Sequence, residues 1–134
     1  MMYSKELIIE ASKSTVLGVI TNPFYFAGIV GHMGILRVKD KKKGVPVTPE
    51  DLTEPVNEFE VSYGFGTPEK FNVVLGYMVG PTVTPNSITY SGATYDGHFE
   101  WKMDFFITPL GPSKTKIYIA VDAKYKVSTL DRIF

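Results

Sequence analysis

Alternation of apolar and polar positions dominates the second half of the chain. From His98 to Thr108, Phe99, Trp101, Met103, Phe105 and Ile107 fall on one side of an extended backbone. His98, Glu100, Lys102 and Asp104 fall on the other, the period of two that marks a half-buried strand. Lys114 to Lys126 repeats the pattern, with Ile117, Ile119, Val121, Ala123 and Tyr125 set against Tyr118, Asp122 and Lys124. The same reading gives strands over Val56–Tyr63, Lys70–Val79 and Ser87–Ser91, with Phe59, Val61 and Tyr63 on one apolar row and Phe71, Val73, Leu75, Tyr77 and Val79 on another. Gly66-Thr67-Pro68, Gly80-Pro81, Asp96-Gly97 and Gly111-Pro112 supply reversals between them, so successive strands are expected to pair antiparallel.

The first part of the chain changes period. Tyr3 to Glu10 reads as an opening strand, and Val16, Leu17 and Ile20 then recur at helical spacing behind Ser12 or Ser14 as N-cap, with Asn22-Pro23 as the stop. Pro23 suits the first turn of a second helix over Phe24–Val30, because its missing N–H has no intrahelical acceptor there. Gly28, Gly31 and Gly34 break that helix before a strand at Ile35–Lys39. Asp40 to Pro55 is a long polar connection with strand pairing near Val45–Thr48, and Ser128-Thr129-Leu130-Asp131 has the spacing of a capping box at the start of a last helix.

Composition narrows the class. The 134 residues suit a single domain, 1–134, and a 44% hydrophobic, 13% aromatic content is enough for a core and argues against disorder. Equal numbers of basic and acidic residues, 14 each, remove the field that draws a protein to nucleic acid. There is no cysteine for a disulfide or thiolate, and no cofactor motif or metal-ligand spacing is found. No apolar run reaches membrane-spanning length and the first ten residues carry Lys5, Glu6 and Glu10 where a signal peptide needs an uninterrupted apolar segment, so a cytoplasmic protein is expected.

An antiparallel sheet with one apolar face needs cover, and two short helices with a barely begun third supply little. The expectation is a cavity or an exposed patch rich in aromatic rings. Tyr63, Tyr77, Tyr90, Trp101, Met103, Phe105 and Tyr125 from strands, with Phe26 and Met33 from the helical side, are the candidate ligand-binding residues. Tyrosine hydroxyls and the indole N–H would orient a ligand on an apolar wall, although each aromatic is equally compatible with ordinary core packing.

The order of elements, together with Glu10-Ala11-Ser12-Lys13-Ser14-Thr15-Val16, Thr21-Asn22-Pro23 and Phe26-Ala27-Gly28-Ile29-Val30-Gly31-His32, resembles the START-like (helix-grip, SRPBCC) superfamily, in particular its carbon monoxide dehydrogenase-associated and polyketide cyclase-like branches. The resemblance implies an α+β fold in which a curved antiparallel sheet of six or seven strands grips a carboxy-terminal helix, here truncated or absent, around a cavity for an apolar molecule. It also implies two alternatives: a cyclase or aromatase acting in that cavity, and a homodimer or interaction module with the aromatic face at the interface.

The remaining candidates favour plainer readings. His98, Glu100 and Asp104 share the outward row with Lys102, which fits a solvated surface better than a metal or acid–base site. His32 reads as a loop histidine, the basic residues Lys39 to Lys43 as a solvated loop, and Gly64-Phe65-Gly66 as a hairpin rather than a nucleotide loop.

Overall fold

The computed structural model describes residues 2–38, 58–67 and 69–125. The connection Asp40–Pro55 with its basic residues, and the capping sequence Ser128–Asp131 with the helix expected to follow it, lie outside the described residues. The elements are β1 (Met2–Ile9), α1 (Lys13–Ile20), α2 (Pro23–Val30), β2 (Met33–Val38), β3 (Glu58–Thr67), β4 (Lys70–Val83), β5 (Ser87–Thr94), β6 (Phe99–Gly111) and β7 (Lys114–Tyr125). All seven strands form one antiparallel sheet in the order β1-β7-β6-β5-β4-β3-β2, with β1 and β2 at the edges.

Both helices begin as their sequences dictate. Ser12 caps α1, its Oγ accepting from the Thr15 N–H at 3.2 Å. Asn22 caps α2, its Oδ1 accepting from the Phe24 and Tyr25 N–H groups, with Pro23 in the first turn. Gly28 does not break α2, which continues to Val30 and ends at Gly31, where φ is +71°. Consequently β2 starts at Met33, two residues earlier than its pattern suggests.

The sheet curls tightly. Two strands separate β3 from β6 in the sheet order, yet the Phe65 and Phe99 ring centroids are 5.4 Å apart, and Phe65 also lies 5.9 Å from Tyr125 on β7. The concave side therefore carries the core. Register places Phe99, Trp101, Met103, Phe105 and Ile107 of β6 opposite Tyr125, Ala123, Val121, Ile119 and Ile117 of β7 on that side, as their alternation predicts.

On β4 the faces are reversed from expectation. Phe59, Val61 and Tyr63 pair with Met78, Gly76 and Val74, so the inner row of β4 is the one containing glycines. Val73 and Leu75 are exposed on the outer, convex face, and Tyr77 shares that row. The physical reason is space. A Cβ on Gly76 would meet Tyr63 Cε2 at 2.7 Å, one on Gly80 would meet Tyr90 Cδ1 at 2.9 Å, and one on Gly92 of β5 would meet Tyr63 Oη at 2.5 Å and Trp101 Nε1 at 2.9 Å. The three positions form a furrow in which large rings from neighbouring strands lie.

Gly80-Pro81 is likewise not a chain reversal. β4 passes through it with a register shift between Val79 and Thr82, and the turn comes at Thr84, whose hydroxyl accepts from the Ser87 N–H at 3.0 Å. The helices dock on the sheet through Phe26, whose ring stacks on Tyr90 at 3.8 Å and 1°, and through the Tyr90 hydroxyl, which donates to the Ile20 carbonyl at the end of α1 at 2.5 Å. That carbonyl lies in the last turn, where helix acceptors lack an internal partner.

Gly92→Ala is expected to lower stability by about 1–3 kcal/mol, because neither the ring nor the neighbouring backbone can withdraw freely. Gly28→Ala, with nothing within 4 Å of the added carbon, is expected to raise stability by roughly 0.5–1 kcal/mol through helix propensity. Urea unfolding of the two variants beside the parent chain checks the opposite signs.

Candidate functional site

The curl and the helices enclose a cleft of about 330 Å³ at one end of the concave face. The α2–β2 joint supplies Val30, Gly31, His32 and Met33; β3 supplies Tyr63, Gly64 and Phe65; β6 and β7 supply Phe99, Trp101, Met103, Val121 and Ala123. His32 adopts φ +54°, and its carbonyl accepts from the Gly64 N–H at 2.7 Å, which fixes the joint against β3. The lining is mainly apolar.

The polar atoms of the floor are already partnered. The Trp101 indole N–H donates to Tyr63 Oη at 2.9 Å, and the Tyr63 hydroxyl donates to the Tyr77 carbonyl at 2.6 Å. This chain crosses the sheet over Gly92, where the missing Cβ leaves room for both groups. Burial pushes the Tyr63 phenol up to about 12, only partly opposed by the indole hydrogen bond, which favours the phenolate. Burial pushes Tyr90 up as well. Among the described residues no buried side-chain nitrogen or oxygen lacks a hydrogen-bond partner.

A second cavity of about 400 Å³ shares Phe65 and Phe99 as a wall with the first and lies toward the β5–β6 turn. Its other lining residues are Asn72, Val74, Thr94, Asp96, His98 and Tyr125. Phe65, Phe99 and Tyr125 meet at centroid distances of 5.4 to 6.0 Å, forming an aromatic wall. Opposite stands a built turn: Asp96 Oδ1 accepts from the Thr94 hydroxyl at 2.6 Å and from the His98 N–H at 3.0 Å, and Asp96 Oδ2 lies 3.5 Å from His98 Nδ1. The Thr94 hydrogen bond, followed by that from the His98 backbone, holds the Asp96 carboxyl below its usual range. His98 thus belongs to the turn before β6, and is not on the outward row with Glu100 as its alternation suggests.

Of the candidates named from sequence, Met33, Tyr63, Trp101 and Met103 come together in the cleft, while Tyr125 lines the second cavity. Phe26, Tyr90 and Phe105 lie in the core beneath α2, with Phe105 edge-on to Phe26 at 5.9 Å. Tyr77 is placed on the convex face, beside a polar hollow lined also by Ser91, Glu100, Lys102, Asp122 and Lys124; only its backbone carbonyl contributes to the cleft floor. Its side chain is removed from the cleft because the glycine row of β4 takes the inner positions. Phe99, Val121 and Ala123 were legible as members of the apolar rows but not as cleft residues, and Phe65 only within Gly64-Phe65-Gly66, since the cleft joins β6 and β7 to β3, which is not their neighbour in the sheet. Among the described residues no cluster of His, Asp and Glu is arranged to hold a metal ion, and no helix is long and apolar enough to cross a membrane.

No protein-family model matches the chain and no curated protein matches it. Solved structures do. A START superfamily protein from Mycobacterium smegmatis is similar with 18% identity and a TM-score of 0.54, over 96% of this chain and 79% of that one. The chain has a START-like fold. The Zhui aromatase/cyclase from Streptomyces sp. R1128 shares this START-like arrangement at 12% identity and a TM-score of 0.60, over 98% of this chain and 72% of that one. A truncated norcoclaurine synthase from Thalictrum flavum does so at 11% identity and a TM-score of 0.57, over 94% and 76% of the two chains.

The buried phenols give the START-like chain an alkaline limit. Tyr63 stays protonated to about pH 12 when folded, whereas its ordinary value is 10.0. The folded state therefore binds more protons than the unfolded state between these values, and stability falls as pH rises through that window. This contribution is complete below pH 10. Tyr63→Phe is expected to flatten the decline between pH 10 and 12, measured by urea unfolding across that range.

Proposed function

We propose that the chain binds and carries a small apolar molecule in the cleft between the α2–β2 joint and the concave sheet face. The observation that carries this reading is an apolar cleft whose tyrosine and indole groups are already hydrogen-bonded to one another and to the backbone. An apolar ligand entering it leaves no polar atom of the floor newly unpaired, so its desolvation, about 25 cal/mol per Å² of apolar area, is retained as affinity. The START-like neighbours that bear enzyme names raise a cyclase-type reaction as the alternative. Carriage is favoured because the Tyr63 hydroxyl, the phenol in the cleft, is committed to the Tyr77 carbonyl and has a raised pKa, which suits it poorly to proton transfer near neutral pH.

N-phenyl-1-naphthylamine, a neutral apolar fluorophore, is expected to brighten on binding the purified chain when excited directly. Val121→Trp, which fills the cleft from β7, is expected to reduce that binding at least ten-fold, on the order of 1.4 kcal/mol, while leaving the unfolding midpoint close to the parent's. Undiminished binding by a folded Val121→Trp chain overturns the cleft as the site. Trp101→Ala is a poorer test, since Trp101 is only 9% exposed and its loss is expected to cost about 3–5 kcal/mol of stability.

Native mass spectrometry addresses the arrangement in solution. A monomer retaining an apolar adduct supports carriage; a ligand-free homodimer replaces it with self-association through the concave face.

A further inference from the structure

The second cavity has a chemistry the cleft lacks. One side is the Phe65, Phe99 and Tyr125 wall, and the rim is polar, with Asn72, Thr94, Asp96 and His98. We propose that this cavity is a separate binding site for a planar aromatic molecule carrying a hydroxyl group, the ring lying against the aromatic wall and the hydroxyl donating to His98 Nε2.

The polarity of that hydrogen bond follows from the turn. Asp96 is held by the Thr94 hydroxyl and the His98 backbone N–H, so its Oδ2 has a fixed position 3.5 Å from His98 Nδ1. A carboxylate on that side favours the tautomer with the proton on Nδ1, which leaves the Nε2 lone pair as an acceptor. A ligand hydroxyl meets that demand, and a methyl group of similar size does not. The rings supply the remainder: Phe65 and Phe99 stand nearly edge to face at 5.4 Å and 76°, a geometry that presents both ring faces and ring edges to a planar guest. This inference does not rest on the cleft, because of its lining residues only Phe65 and Phe99 are common to both cavities.

The probes are 2-naphthol and 2-methylnaphthalene, near-isosteres differing in the hydroxyl, measured by equilibrium dialysis at pH 8. The Val121→Trp chain is used beside the parent so that the first cleft is filled. The expected result is that the Val121→Trp chain, its cleft filled, prefers naphthol by about five-fold, the scale of one neutral hydrogen bond, and that the parent, whose open cleft also takes methylnaphthalene, shows a smaller preference. His98→Phe in the Val121→Trp chain is expected to abolish the preference while methylnaphthalene binds as before. Asp96→Asn keeps an acceptor for Thr94 and the His98 N–H but turns a donor toward Nδ1, and is expected to weaken the preference with the fold intact by circular dichroism. Equal affinity for the two probes, no naphthol binding to a folded Val121→Trp chain, or a preference that survives His98→Phe overturns the proposal. Each of these results is independent of whether N-phenyl-1-naphthylamine occupies the cleft.

Discussion

Three missing Cβ atoms determine how this sheet is packed. Gly76, Gly80 and Gly92 line a furrow on the concave side, and Tyr63, Tyr90 and Trp101 occupy the volume that side chains there would fill. With Tyr63 lying low over the sheet, its hydroxyl reaches the Tyr77 carbonyl and receives the Trp101 indole. With Tyr90 set low, its ring offers a flat surface for Phe26 and its hydroxyl extends to the end of α1. The docking of both helices and the floor of the cleft therefore follow from the same small residues. In an ordinary strand, glycine is only a weakening substitution; here the rings it admits supply the core.

The same feature explains what could be read from the chain and what could not. β6 and β7 were legible because each has one apolar and one largely polar row, so the buried side is unambiguous. In β4 both rows are apolar, and the longer side chains Val73, Leu75 and Tyr77 make the outer row look like the core. Only the identity of the partners, rings on β3, β5 and β6 that need space, decides the matter, and that is information from other strands. The START-like element order was legible because caps and punctuating residues are local: Ser12, Asn22 and Pro23 act where they stand.

The site was half legible for a related reason. Tyr63, Trp101 and Met103 belong to patterned rows, Met33 was named from the helical side, and the curl brings them together. Phe65 was hidden inside a glycine-rich stretch that reads as a hairpin, and it stands in the β3 arm of that hairpin, where β3 pairs with β4. The Thr94, Asp96 and His98 arrangement was hidden by one residue of strand boundary. Assigning His98 to β6 sets it on the outward row, whereas its place in the turn brings it to the cavity beside Asp96. A local signal existed, since Asp96-Gly97 marks a turn in which the aspartate accepts from the backbone two residues on.

The contrast between the paired floor and the rim bears on how such a chain diversifies. The floor is tied through Tyr63, Tyr77, Gly92 and Trp101 to the stability of the whole sheet, so a change of chemistry there is also a change of fold. Apart from Asn72, Thr94 and Met33, which stand near strand ends, the rim is carried by the β5–β6 turn and the α2–β2 joint, segments outside the strand ladder. Substitutions in those segments alter what a guest meets at the entrance without repacking the interior. The surface that the cavities present and thermodynamic robustness are thus placed under separate mutational control, and the architecture can change the one while keeping the other.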